Sequence, residues 1–286
     1  MSRNYILYIF IPVLFAVACT HKQQYLADPA ADTFVSYKNI VYGTDDTEQD
    51  MDVDLPAVRD MQNTPVVILI HGGSWVTGNK SDFYGLGLDT FFTGNGCALV
   101  NMNYRLYASY NNVAPLEMQD VGLVLAYIKQ NAAAWKINPG RICLLGKSSG
   151  SQIALLYAYN YNQDGRIKAV IDGFGPTDFT DSSIIDDPNL GGNVGALLGG
   201  PYATNMQLWH DYSPIFYMQG AVPTVIYQGN LDVVVPPIQS LMLQDSLLGR
   251  GVPNLFFNWV GDGHGWDQAK WLECRGATWG FVKEYL

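Results

Sequence analysis

Short, continuous apolar runs recur along this chain, and helix-length segments separate them. Runs of this kind are typical of strands buried on both faces, which occur in mainly parallel sheets covered by helices. The runs occupy 65–70, 97–102, 142–145, 167–171 and 224–227. Between the second and third runs, one helical face is formed by Met118, Val121, Leu125 and Ile128. The sequence therefore predicts an α/β fold with a doubly wound, mainly parallel sheet.

Two segments depart from this pattern. Residues 51–55 alternate apolar and polar side chains, which predicts a half-buried strand. Residues 176–222 contain two Gly-Gly pairs and scattered aromatic side chains without clear periodicity. We expect this second segment to be an insertion over the strand ends, in effect a short cap on a single domain at 34–286. Ligands of such folds bind at the carboxyl ends of the strands, so the residues after each run are the candidates for chemistry.

The N-terminus carries an apolar run at 5–18 that is followed by polar residues. The run is shorter than the roughly 20 residues of a membrane-spanning helix and matches the core of a signal peptide. Its end, Ala16-Val17-Ala18-Cys19, resembles a bacterial lipoprotein signal, which implies cleavage before Cys19 and a lipid on that thiol. We expect a signal peptide at 1–18, a tether at 19–33 and a lipid anchor in a bacterial cell envelope, on the periplasmic or outer surface. The alternative is an ordinary signal peptide with an incidental cysteine, and a secreted protein.

The ionisable residues are unbalanced, with 16 Lys and Arg against 26 Asp and Glu and a formal net charge of −10. Nucleic acids and anionic headgroups bind clusters of Lys and Arg, so this balance argues against both as direct partners. Three cysteines follow the predicted cleavage site, at Cys97, Cys143 and Cys274. Two of them lie inside apolar runs, where a free cysteine behaves as a small buried apolar residue. We interpret all three as structural.

The run 142–145 leads directly into Gly146-Lys147-Ser148-Ser149-Gly150, and a helical pattern begins near Ser149. This is a G-x-S-x-G pentapeptide between a strand and a helix. Such a turn holds its central residue in a strained conformation above the sheet, and the flanking glycines avoid the clashes of a Cβ. The adjoining helix N-terminus favours developing negative charge. We interpret Ser148 as a nucleophile; the alternative is a glycine-rich turn without chemistry.

A second glycine-rich segment, His71-Gly72-Gly73-Ser74-Trp75, directly follows the run 65–70. The backbone N–H groups of Gly72 or Gly73 can converge with that of Ser149 to form an oxyanion hole. We expect His71 to orient this loop rather than to transfer protons. We interpret Trp75 either as a substrate-binding wall of the acyl pocket or as a packing residue.

Two further segments supply a candidate acid and a candidate base. Asp232 follows the run 224–227, where a carboxylate can hold an imidazole in one tautomer. His264 lies between glycines after the strand-like segment 255–259, on a loop that can reach a distant nucleophile. Of the other histidines, His21 lies in the tether and His210 in the expected cap. The sequence therefore favours His264 as the base and Asp232 as its partner.

Other acidic residues compete for the second role. Asp178 follows a different strand and is the second candidate for the acid. Asp262 lies only two residues before His264, too close to orient its ring easily. The acidic residues of 178–187 lack the regular ligand spacing of a calcium loop. We interpret them as a solvated face and expect no metal site.

The motifs follow one another in a recognisable order: the H-G-G-S-W loop, Asn103-Tyr104-Arg105-Leu106, the elbow, Gly175-Pro176-Thr177-Asp178-Phe179, Tyr212-Ser213-Pro214-Ile215, the Asp232 turn and the His264 loop. Over roughly 36–286 this order resembles that of α/β-hydrolase carboxylesterases, and within them the bacterial feruloyl and acetyl-xylan esterases. The resemblance implies an α/β-hydrolase fold of about eight strands. It also implies a triad of Ser148, Asp232 and His264, an acyl-enzyme intermediate, and no metal or cofactor.

The resemblance further implies that the substrate is a carboxylic ester, either an acetylated or feruloylated carbohydrate or another small ester. The elbow departs from many relatives in carrying Lys147 where they have His, Asp or Glu. A cation there either attracts a carboxylate of the substrate or is a solvated residue. Two alternatives stay open: a serine peptidase or arylformamidase-like amide hydrolase with the same triad, and a non-catalytic hydrolase-fold lipoprotein that binds a ligand.

Overall fold

The computed structural model describes residues 32–107 and 115–286. The predicted signal peptide, Cys19 and nearly all of the predicted tether lie outside these residues.

An eight-stranded sheet runs through the centre of the domain, as expected. Its strands are β1 (Val35–Val41), β2 (Asp50–Leu55), β3 (Val66–Ile70), β4 (Ala98–Met102), β5 (Ile142–Lys147), β6 (Ile167–Gly173), β7 (Thr224–Gly229) and β8 (Asn254–Trp259). The strand order is β1-β2-β4-β3-β5-β6-β7-β8. Strand β2 pairs antiparallel with both β1 and β4, and the other neighbours pair parallel. The predicted α/β-hydrolase architecture is thus confirmed.

Helices cover both faces of this sheet. They are α1 (Leu88–Gly94), α2 (Leu116–Trp135), α3 (Ser149–Leu156), α4 (Ser182–Ile185), α5 (Leu190–Leu197), α6 (Tyr202–Asp211), α7 (Ile238–Gly249) and α8 (Gln268–Val282). Short 3₁₀ segments lie at Lys80–Phe83 and Pro214–Gly220, and a π-helical turn at Tyr157–Tyr161 follows α3. Successive strand residues point to opposite faces of the sheet, and they pack into two hydrophobic cores, one on each face. The helical face expected at 118–128 is buried in one of them, as predicted.

The prediction of a half-buried strand at 51–55 is wrong, because every residue of β2 is buried. The apolar residues of this strand enter one core, while Asp50, Asp52 and Asp54 point to the opposite face. There the ammonium of Lys80 forms ion pairs with Asp50 and, at 3.0 Å, with Asp52. The polar face is therefore buried against a cation from another part of the chain, since buried charges need such partners.

The segment 176–222, expected to be a short cap insertion, contains three helices and one 3₁₀ segment although its sequence shows no clear periodicity. Its buried side chains, including Phe179, Val194 and Trp209, belong to the same core as Met118 and Ile153 of the main domain. Its aspartates are used locally: Asp181 accepts a hydrogen bond from Ser183 N at the start of α4, and Asp187 accepts one from Leu190 N at the start of α5. In the described residues no group of three or more His, Cys, Asp or Glu side chains is arranged to hold a metal ion.

The three described cysteines, Cys97, Cys143 and Cys274, are free and buried, which agrees with the structural role expected for them. Burial raises the pKa of the Cys97 thiol to about 12. No helix within the described ranges is long and apolar enough to cross a bilayer.

Candidate active site

Ser148 occupies a strained turn between β5 and α3. Its backbone angles are φ 53° and ψ −122°, in the region that residues with a Cβ rarely adopt. The two motif glycines allow the close packing that holds this turn. A Cβ on Gly146 would lie 2.3 Å from Gly150 O, and one on Gly150 would lie 2.1 Å from Ile70 O. The pentapeptide spacing is thus explained by contacts between backbones.

Strand β6 anchors the same turn, through a residue that the sequence analysis did not single out. Gly173 O accepts a hydrogen bond from Ser148 N at 2.7 Å, and Gly173 N donates to Ser151 Oγ at 2.8 Å. Gly173 is the register partner of Lys147 across the β5–β6 pair. The only sequence signal for it is a glycine at the end of an apolar run.

The structure brings the three residues proposed as a triad into one hydrogen-bonded row. His264 Nε2 lies 3.0 Å from Ser148 Oγ, and His264 Nδ1 lies 2.7 Å from Asp232 Oδ2. The side chains come from the carboxyl ends of β5, β7 and β8. A nucleophile, a base and an orienting carboxylate at these distances can transfer the hydroxyl proton to the imidazole.

The carboxylate of Asp232 is held from several directions. Oδ1 accepts hydrogen bonds from the backbone N–H groups of Val234 at 2.8 Å and Val235 at 2.9 Å, and Oδ2 accepts a third from Gln228 Nε2 at 3.0 Å. Burial alone would raise the pKa of Asp232, but the bond and charge of His264 and the two backbone donors outweigh it. The pKa of this carboxyl therefore lies below its usual value.

The competing acids are engaged elsewhere. Asp178 Oδ1 accepts hydrogen bonds from Thr180 N at 2.8 Å and Thr180 Oγ1 at 2.7 Å. Asp262 Oδ2 forms an ion pair with Lys270 Nζ at 2.5 Å. Of the acids considered from the sequence, Asp232 is thus the one that the structure places against His264.

His71 is buried beneath the glycine loop, where it can orient that loop. Its Nδ1 lies 2.7 Å from Gly72 O, and its ring stacks on Tyr104 with centroids 4.3 Å apart. Burial lowers the pKa of His71, which favours the neutral ring.

The loop segment Gly72-Gly73 lies directly against the elbow. A Cβ on Gly72 would be 3.0 Å from Lys147 O and 3.2 Å from Ser148 Cβ, and Gly73 adopts φ 116°, which favours glycine. Within residues 32–107 and 115–286, no acceptor is hydrogen-bonded to the backbone N–H of Gly72, Gly73 or Ser149. Unpaired donors next to a nucleophile are what an oxyanion hole requires.

Trp75 is a packing residue in this structure. Its indole N–H donates to Gln152 Oε1 at 3.0 Å, and its ring packs edge-on against Phe179. Only 1% of its surface is exposed. It is not among the residues that line the cavity at Ser148, so the substrate-binding interpretation of Trp75 has no support in the geometry.

A cavity of about 180 Å³ opens at Ser148. It is lined by Gly72, Gly73, Asp82, Lys147, Ser148, Phe174, Gly265 and Trp266. Of these residues, Phe174 and Trp266 were not predicted from the sequence. The Phe174 ring packs edge-on against His264 with centroids 4.7 Å apart, and Trp266 packs edge-on against Phe174 at 5.8 Å. A larger cavity of about 470 Å³, lined by residues of β2, β4 and the 83–89 segment, does not include Ser148.

Two solved structures share this fold over most of the chain. A "Bifunctional GH43-CE" protein from Bacteroides eggerthii matches 89% of this chain and 39% of its own chain, with a TM-score of 0.76 and 24% identity. A "Truncated form of carbohydrate esterase from gut microbiota" matches 90% of this chain and 98% of its own, with a TM-score of 0.72 and 23% identity. At this identity the likeness establishes the fold.

Curated relatives and a family profile extend the comparison to sequence. "Probable carboxylic ester hydrolase LipM" of Mycobacterium tuberculosis (strain ATCC 25618 / H37Rv) is 29% identical over 195 residues, which cover 64% of this chain and 44% of the relative. The chain spans about half the length of the curated relatives it matches. The profile of the BD-FAE family matches residues 51–247, more than half of the chain. The chain is therefore an α/β-hydrolase that belongs to the BD-FAE family.

Proposed function

We propose that this protein is a serine-dependent carboxylic ester hydrolase that works through an acyl-enzyme intermediate. The row Ser148 Oγ, His264 and Asp232, with heavy-atom separations of 3.0 and 2.7 Å, is the observation that carries the proposal. The similarity to a relative named as a carboxylic ester hydrolase supports the same class of reaction.

In the first half of the reaction, Ser148 Oγ attacks the ester carbonyl carbon while His264 Nε2 takes the hydroxyl proton. The resulting imidazolium donates its Nδ1–H to Asp232, whose low pKa keeps the carboxylate ionised. Collapse of the tetrahedral intermediate breaks the bond to the alcohol oxygen, and His264 gives its proton to that oxygen. In the second half, His264 takes a proton from water, the hydroxide attacks the acyl carbonyl, and the proton returns to Ser148 Oγ as the acid leaves.

The negative charge of each tetrahedral intermediate falls on the former carbonyl oxygen. We assign its stabilisation to the unpaired backbone N–H groups of Gly72 or Gly73 and of Ser149. One such donor contributes about 2.7–4 kcal/mol to the stability of a transition state of this type.

For the substrate, we propose acylated carbohydrate, with acetyl esters first and feruloyl esters second. The cavity at Ser148, about 180 Å³, is smaller than the roughly 300–1,000 Å³ of drug-sized ligand pockets, which favours a small acyl group. The structural similarity to a protein named as a carbohydrate esterase supports a sugar as the alcohol. Release of acetate from acetylated xylan and of ferulate from feruloylated arabinoxylan measures the two directly. Release of neither acid, from a protein that hydrolyses simple esters, would remove the carbohydrate assignment.

The experiment that tests the reaction itself compares wild type with Ser148→Ala on short p-nitrophenyl esters and on the matching p-nitroanilides. We expect ester hydrolysis by the wild type alone, and labelling of Ser148 by a fluorophosphonate probe. Near-wild-type hydrolysis by the folded Ser148→Ala protein would overturn the proposal. Faster cleavage of the anilides would favour the amide hydrolase, and a wild type with neither labelling nor hydrolysis would favour the non-catalytic alternative.

We also propose that Cys19 carries a lipid that anchors the protein in the bacterial cell envelope. The support is the apolar run at 5–18 that ends at small residues before this cysteine. Metabolic labelling of the full chain with a fatty-acid analogue in a bacterial host tests it. We expect label on the wild type and on Cys97→Ala, but none on Cys19→Ala; label that persists without Cys19 would contradict the anchor.

A further inference from the structure

Lys147 is the last residue of β5 and the immediate neighbour of Ser148, and it lines the same cavity. Its ammonium donates to the backbone oxygen of Asp82 at 3.3 Å and lies 4.5 Å from the centroid of the Phe83 ring. A lysine ammonium has three N–H donors, so one backbone acceptor leaves part of this donor capacity unused.

This cation differs from the other lysines near acidic groups. Lys38, Lys80 and Lys270 all form ion pairs with aspartates. In the part of the chain that the structure describes, no carboxylate forms an ion pair with Lys147. The one acid in the cavity wall, Asp82, uses Oδ2 to accept a hydrogen bond from Asn79 N at 3.1 Å. Its carboxylate thus caps the 3₁₀ turn.

The surroundings of Lys147 leave its charge incompletely compensated. The side chain is half-buried, and burial lowers the pKa of its ammonium despite the attraction of Asp82. A charge removed from water is favourable only when a counter-charge or hydrogen-bond acceptors replace the lost solvent. A carboxylate entering the cavity would supply both.

We propose that Lys147 forms an anion subsite, which selects esters that carry a carboxylate close to the ester group. This inference rests on the proposed ester hydrolase activity and specifies its substrate class as acidic esters, such as acylated acidic sugars. A charge-assisted hydrogen bond in a half-buried site is strong enough to favour such a substrate about tenfold over its neutral analogue.

Rigid matched substrates test this. In the first pair, 4-acetoxybenzoate carries a carboxylate on the alcohol side of the ester, and 4-acetoxybenzamide is its neutral analogue. In the second pair, monomethyl terephthalate carries the carboxylate on the acyl side, and methyl 4-carbamoylbenzoate is its neutral analogue. The readout is the ratio of kcat/KM for the acid to that for its amide. We expect a ratio of about 10 for at least one pair in the wild type. It should fall to about 1 in Lys147→Met and stay well above 1 in Lys147→Arg.

Lys129→Met removes the same charge from an exposed position on α2 and serves as the matched control, with the wild-type ratio expected. Raising the ionic strength of the wild-type assay tenfold should also lower the ratio, a measurement that does not depend on folding of a variant. A pair that is bound but not hydrolysed is run as competitor of p-nitrophenyl acetate, and the ratio is taken from the inhibition constants.

A ratio near 1 for both pairs, or a preference that survives in folded Lys147→Met, would overturn the anion subsite. In either case hydrolysis of p-nitrophenyl acetate would leave the ester hydrolase proposal intact. A wild type that hydrolyses no ester at all would instead refute the proposed function itself. Failure of the anion subsite and failure of the proposed function are therefore distinguishable.

Discussion

Asp232 accepts a hydrogen bond from His264 through one carboxylate oxygen, at 2.7 Å, while its other oxygen is held by two backbone N–H groups. We expect Asp232→Asn to lower kcat for p-nitrophenyl acetate by about 10⁴, the loss known for the same change in a serine protease, because an amide stabilises the wrong imidazole tautomer. Asp178→Asn and Asp262→Asn are the matched controls. A loss of kcat with Asp178→Asn that equals that of Asp232→Asn would contradict the assignment.

The strained backbone at Ser148 predicts that glycine is more stable than alanine at this position, the reverse of their order inside a helix. Both Ser148→Ala and Ser148→Gly remove the hydroxyl, but only glycine adopts φ 53°, ψ −122° without a Cβ clash. We expect the free energy of unfolding of Ser148→Gly to exceed that of Ser148→Ala by roughly 1 kcal/mol. At Ser246, inside α7, the same pair should show the opposite order, with alanine more stable by about 1 kcal/mol. Denaturant titration measures all four variants, and equal stability of the two Ser148 variants would show that the turn is unstrained.

A Cβ at Gly72 is expected to crowd the turn that carries the nucleophile. Alanine at this position would place its Cβ 3.0 Å from Lys147 O and 3.2 Å from Ser148 Cβ, and so displace either the loop donors or the nucleophile. Because the loss of one oxyanion donor costs about 10²–10³ in rate, we expect Gly72→Ala to lower kcat at least tenfold. Gly192→Ala, on α5, where an added Cβ meets nothing within 4 Å, is the control and should keep wild-type kcat. Unchanged kcat in Gly72→Ala would exclude this loop from the oxyanion hole.

Asp172 predicts a pH-dependent cost in stability. This carboxyl is fully buried in β6, where burial raises its pKa to about 7 against the hydrogen bond from Gly175 N. The folded state therefore holds a proton that the unfolded state releases near pH 4, so stability falls as pH rises from about 4 to 7 and levels off above. Between pH 5 and 8 we expect the wild type to lose roughly 2–3 kcal/mol of unfolding free energy relative to Asp172→Asn. Urea titrations at the two pH values measure this difference, and parallel pH profiles of the two proteins would contradict it.

The sequence predicted the central strands well because their burial on both faces leaves a local signal, a continuous apolar run. Strand β1 left no such signal: Val35–Val41 interleaves polar with apolar residues and, of the strands in the described ranges, pairs with β2 alone. The burial of the polar face of β2 depends on Lys80, a residue far along the chain whose position no local pattern specifies.

The same distinction holds in the site. The sequence was sufficient to predict Ser148, Asp232 and His264, because each lies in a glycine-containing turn directly after a strand. The neighbouring residues in the sequence therefore indicate that context. The register of β5 with β6 places Gly173 beside the nucleophile turn. Packing between two loops that are distant in the sequence brings Phe174 and Trp266 together at the site. Such relationships become visible only when the strands are placed side by side.

The order of the strands also affects how the protein is expected to lose activity on heating. His264 follows β8, which closes one edge of the sheet and pairs with β7 alone among the described strands. The loop that bears it is joined to the Asp232 turn by Leu231 N to Asp262 O, at 2.8 Å, and Asn230 N to Trp259 O, at 3.0 Å. Elements with few packed neighbours unfold locally at a lower free-energy cost than the core strands and helices. Thermal inactivation should therefore precede global melting, with amide exchange faster in β8 and its loop than in the interior strands β3 and β5. The base is then lost while the nucleophile is still in place.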